Sequence, residues 1–135
     1  MTQILIASIF AASLVAAGPA AAKPGLAKEK AINDQLFPFA LAFEIQKKCS
    51  DIQPRMLRAL SYRNSLFSAA RARGYSNAEI DAYIDNKAAQ QRMRERGNAY
   101  LARYNASLSD RPALCRAGRQ EIKNNSQIGR LLRAR

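Results

Sequence analysis

Along most of the chain, apolar residues return every three or four positions, the spacing of one helix face. Nowhere do they alternate with polar residues as a half-buried strand requires. The pattern first becomes regular after Asn33 and Asp34, either of which can cap a helix. From Gln35 to Cys49 it sets Leu36, Phe39, Ala40 and Phe43 on one stripe and Leu41 and Ile45 on another side, with Glu44 as the only acid. A helix apolar on most faces is a buried one, and Pro38 is expected in its first turn, where a missing N–H costs least. The run Ser50-Asp51-Ile52-Gln53-Pro54 interrupts the period. A second helix then begins with Pro54 near its first position and presents Met56, Leu57, Leu60, Asn64 and Phe67 at helical spacing. Gly74, after Arg71 and Arg73, reads as a left-handed stop with cations in the last turn.

Ser76-Asn77-Ala78-Glu79 is a capping box, in which the Ser hydroxyl accepts from the Glu79 N–H and the Glu carboxylate reaches back to the Ser N–H. The third helix it opens is expected to run to about Tyr104, since no proline stops it. Its early turns present Ile80, Tyr83 and Ile84, and its later turns Met93, Gly97, Tyr100, Leu101 and Tyr104. At 100° per residue the two sets do not coincide, so the two ends are expected to meet different neighbours. After the loop Asn105–Asp110, Ser109 or Asp110 before Pro112 starts a fourth helix with Leu114, Cys115, Gly118 and Ile122 inward. Ile128, Leu131 and Leu132 then make a short final helical turn, expected to pack back onto the domain. The expected class is all-α: a small bundle of about four helices plus a short C-terminal helical turn, forming one domain over residues 33–135.

The first segment has a different pattern. Residues 1–22 carry no charged side chain and include the apolar run Ile4–Ala17, followed by Gly18-Pro19 and Ala20-Ala21-Ala22. This is the order of a secretory signal peptide, with small residues placed for cleavage before Lys23. An uncleaved membrane anchor is the competing reading; the Ala-rich run and its Gly-Pro break weigh against it. Export to the periplasm or the medium is the expectation, with no membrane-spanning segment once the leader is removed. Residues 23–32 (KPGLAKEKAI) read as a flexible basic lead-in.

Export changes the reading of the two cysteines. In an oxidising compartment a Cys49–Cys115 disulfide is the default, and in so small a chain such a staple matters. Free thiols and a metal site remain the alternatives. No CxxC spacing and no His are present to complete a tetrahedral metal centre, and no cofactor motif stands in the chain.

At this point the residues resemble a family. Cys49 follows an apolar helix carrying Glu44, and the block Gly74-Tyr75-Ser76 leads into Glu79-Ile80. Arg92-Met93-Arg94, Tyr100-Leu101, Leu114-Cys115, Gly118 and Glu121-Ile122 follow, with Ser126, Ile128-Gly129 and Leu131-Leu132-Arg133 in the tail. Together these are similar to a group of small exported bacterial proteins known as domain of unknown function 5333. The resemblance covers roughly Asn33 to Arg133 and implies export and a helical, disulfide-tied domain. It brings no catalytic residue with it.

Charge then bears on function. The 135 residues carry 22 Lys and Arg against 10 Asp and Glu, a formal net charge of +12. Arg outnumbers Lys, 15 to 7, and Arg92, Arg96 and Arg103 fall within about 40° of one another on a continuous third helix. Such a row suits bidentate contact with phosphate or carboxylate; a solvated face, diluted by Glu95 three residues after Arg92, is the plain alternative. An exported cation meets anionic lipid, lipopolysaccharide and acidic proteins, and the chain lacks the interleaved stacking aromatics of a nucleic-acid binder. The expectation is a non-enzymatic module binding an anionic envelope component or an acidic protein. An accessory subunit or chaperone-like factor, working through the apolar C-terminal tip, is the second reading. An envelope hydrolase with Glu44 and Glu121 as paired carboxylates is the third. A guanidinium neutralising a half-buried Glu is favoured over that last role, and a Ser or Cys nucleophile would lack a His base.

Overall fold

The computed structural model describes residues 23–135; the leader and its cleavage site lie outside the described residues. Among the described residues five α-helices and one two-stranded sheet are present, with the Cys49–Cys115 disulfide formed.

Helix α1 spans Lys30–Lys48 and so begins before Asn33, which is not its cap. Asn33 lies inside the first turns, where its amide donates to the carbonyls of Leu26 at 2.8 Å and Glu29 at 2.9 Å and its side-chain oxygen accepts from the Tyr83 hydroxyl at 2.6 Å. The segment read as a flexible lead-in carries a 3-10 turn over Leu26–Lys28 that buries Leu26. Leu26 and Ile32 give the chain N-terminal to Asn33 an apolar face of its own, which extends the helix backwards. Pro38 accordingly sits in the interior of α1 rather than its first turn, and the Asp34 carbonyl loses its helical donor there.

Strand β1, Ile52–Pro54, claims Pro54, so α2 starts later, at Met56, and runs to Ala72. Gly74 ends it at φ +89°, and the Tyr75 N–H returns to the Ala70 carbonyl at 3.2 Å, the expected left-handed stop. The Ser76–Glu79 capping box is present in full and opens α3, Asn77–Ile84. The single long third helix is not formed. Asn86 accepts from the Ala89 N–H at 2.9 Å and starts α4, Lys87–Leu101. A fresh cap is the physical answer to the mismatched stripes: the break re-aims Met93, Leu101 and their neighbours without twisting a continuous helix.

Asn105, at φ 49°, turns the chain out of α4. Asp110 caps α5, Arg111–Lys123, with Pro112 in the first turn as expected. The tail makes a 3-10 turn, Gly129–Leu131, and then strand β2, Leu132–Ala134, which pairs antiparallel with β1 in the register Ile52↔Ala134, Gln53↔Arg133, Pro54↔Leu132. Three-residue strands are too short to show alternation, which is why the sequence pattern misses them. Ile128, Leu131 and Leu132 are buried, so the tail does pack back.

The core has two parts. Phe37, Leu41, Ile45, Leu101, Leu114 and Leu132 belong to the larger, built by α1, α4, α5 and the tail. Leu26, Ile32, Leu66, Phe67, Tyr75 and Ile80 belong to the smaller, built by the start of α1 with α2 and α3. Met93 packs against both. Among the described residues no helix is long and apolar enough to cross a membrane.

Candidate functional site

Glu121 is fully buried in α5. Its Oε1 accepts from the Tyr100 hydroxyl at 2.8 Å and the Tyr104 hydroxyl at 2.5 Å, and its Oε2 accepts from Ser126. The expected guanidinium is absent; hydroxyl dipoles satisfy the carboxyl instead. The i,i+4 spacing of Tyr100 and Tyr104 sets both hydroxyls on one side of the chain leaving α4. Ser126 completes the cage because its Oγ also accepts from the Gly129 N–H at 3.0 Å. At Gly129 a Cβ would stand 1.9 Å from the Glu121 carbonyl oxygen, so glycine alone permits this approach.

Glu44 has another setting. Its carboxylate lies 3.2 Å from Lys48 Nζ, one turn along α1, and it lines a groove that does not include Glu121. The two carboxylates named as a possible acid–base pair therefore do not face one cleft.

The arginine row is divided by the surface it lies on. Arg96 and Arg103 line one shallow cleft together with Asp34, Phe37, Tyr100 and Gln127, and Arg92 stands outside it, exposed. Arg96 stacks its guanidinium 4.4 Å from the Phe37 ring centroid and gives its terminal nitrogens to Asp34 at 2.9 Å and the Asn33 carbonyl at 3.3 Å. Arg103 lies 3.9 Å over the Tyr100 ring and donates only its Nε, to the Tyr100 carbonyl. Its two terminal nitrogens have no hydrogen-bond partner among the described residues. Glu95 accepts from Gln91 rather than diluting Arg92. Hydrogen bonds from Lys30 and then Arg96 hold the Asp34 carboxyl below the usual carboxylate range.

The floor of this cleft is tied to the cage through Tyr100. Burial first, and then the hydrogen bond to Glu121, push the Tyr100 phenol well above its ordinary pKa and raise that of Tyr104. The folded state therefore favours neutral phenols, and the stability this provides is complete at neutral pH. It is lost as pH climbs past the ordinary tyrosine value of about 10. Thermal melts from about pH 8 to about pH 11 should fall, and Tyr100→Phe should fall less steeply over the same range.

Two apolar surfaces lie outside this cleft. A groove of about 450 Å³ runs between α1, α2, α3 and α4 over Leu36, Phe39, Phe67, Ile84 and Met93. The first two turns of α2 expose Met56, Leu57 and Leu60, at 69%, 85% and 54%, and α1 exposes Phe43, at 52%. The sequence pattern places those three residues with Phe67 on one stripe, yet of these four only Phe67 is buried.

No curated protein and no solved structure matches the chain. The model described as "Family of unknown function (DUF5333)" matches residues 24–133, and the chain belongs to that family.

Proposed function

We propose that the protein is an exported, non-enzymatic helical module that binds an anionic component of the cell envelope, or an acidic protein, through the cleft at Arg96 and Arg103. The observation that carries this reading is Arg103: its guanidinium is stacked on Tyr100 and held by one nitrogen, so two donors face solvent beside a second stacked guanidinium. A stacked guanidinium loses little freedom on receiving a phosphate or carboxylate. The net charge of +12 adds long-range attraction. The apolar leader and the disulfide support export into an oxidising space.

The test is adsorption to anionic vesicles and to lipopolysaccharide at low and high salt. Binding should weaken steeply with salt, and Arg103→Gln should weaken it about tenfold, roughly the loss of one charge-assisted contact. Salt-insensitive binding, or an unchanged Arg103→Gln protein, overturns the reading.

A second reading, an accessory subunit, is favoured by the exposed Met56, Leu57 and Leu60. It does not work through the C-terminal tip, whose Ile128, Leu131 and Leu132 are already covered. Its signature is a protein that co-purifies in fixed ratio and is lost in Leu57→Ser.

A further inference from the structure

The groove between the helices lies where the two parts of the core fail to close over one another. Leu41 and Leu108 on its floor belong to the larger cluster, Leu66 and Phe67 to the smaller, and Met93 touches both. Apolar walls facing an unfilled space forfeit dispersion contacts, so they gain when an apolar body enters. The lining follows α1 from Leu36 to Lys47, roughly 16 Å at 1.5 Å per residue. With a volume of about 450 Å³, that is the form of a narrow trough rather than a round pocket.

The rim has a sign. Lys47, Arg63 and Arg94 stand on it with Glu44 and Asp81. Glu44 is already engaged by Lys48, and Asp81 is only loosely approached by Arg63, at 3.9 Å. Arg94 is held by the neutral Gln91, and Lys47 has no ion pair among the described residues. The rim thus offers cations to a negative head while the trough offers hydrocarbon to a tail.

We infer that this groove binds a single-chain acyl anion, the chain lying along α1 between Met93 and Phe39 and the head group at the rim arginines, Arg63 and Arg94. The site is separate from the Arg96–Arg103 cleft, so it stands or falls independently of that cleft's role.

The probe is sodium laurate, titrated calorimetrically into the full chain below its micelle concentration, beside octanoate, decanoate and the uncharged monolaurin. Affinity should rise about fourfold per methylene up to laurate. Arg63→Gln with Arg94→Gln should weaken laurate about tenfold and leave monolaurin unchanged. Ala40→Trp fills the trough and should weaken both ligands at least tenfold. Should Ala40→Trp fail to fold, the unaltered protein decides the matter by NMR: laurate must shift the methyl signals of Leu66, Ile84 and Met93. Absence of laurate binding, an affinity indifferent to chain length, or fixed methyl signals overturns the inference.

Discussion

Reducing the Cys49–Cys115 bond should lower the stability of the folded protein by about 4 kcal/mol, a fall in melting temperature of about 15 °C for a domain of this size. The magnitude follows from the sequence separation of 66 residues between the two half-cystines. Releasing so long a loop returns much chain entropy to the unfolded state. The bond also joins the end of α1 to α5 at a point where both half-cystines are buried. Melts with and without reductant, followed by circular dichroism, measure the effect, with Cys49→Ala plus Cys115→Ala as the covalent equivalent. A melting temperature that does not move would show that helix packing alone sustains the fold.

Glu121→Ala should cost about 3–5 kcal/mol, because it opens a cavity and leaves three half-buried hydroxyls, those of Tyr100, Tyr104 and Ser126, without their acceptor. Glu121→Gln keeps one carbonyl oxygen in place and should cost less, about 1–2 kcal/mol. Since a domain of this kind has only about 5–15 kcal/mol in hand, the alanine variant should lose much of its margin. Urea midpoints of the three proteins decide it. The effect should reach the tail: Ser126 loosens with Glu121, and with it the approach at Gly129 that turns the chain toward β2. Loss of amide protection at Leu131 and Leu132 ahead of global unfolding would report that coupling. A Glu121→Ala protein as stable as its parent would mean that the cage is dispensable.

The same cage shows where reading the chain stops working. Glu121 beside Gly118 and Ile122 marks a carboxyl near the core, and the Tyr100–Tyr104 pair marks two phenols on one helix side. Nothing local joins them, since 17 and 21 residues separate the hydroxyls from the carboxyl they share. Arg96 and Arg103 are similar. Their common angle is legible from helical spacing, but that Phe37 and Tyr100 lie beneath them, and that Asp34 occupies Arg96 while Arg103 stays open, depends on how α1 crosses α4.

What the sequence determined by itself was set by groups that find their partners within two turns. The Ser76–Glu79 box, the stop at Gly74, the Asp110 cap before Pro112 and the helical period each involve residues three to six apart, so the all-α class and most helix ends follow from them. The Asn86 cap of α4 is equally local but goes unread in a helical run that no proline interrupts. The tertiary structure decided the rest: which face of α2 stays bare, which short segments pair as β1 and β2, and which donors reach Glu121. Those outcomes turn on how surfaces distant in the chain fit when helices pack, and burial rewards the whole arrangement rather than any residue's own preference.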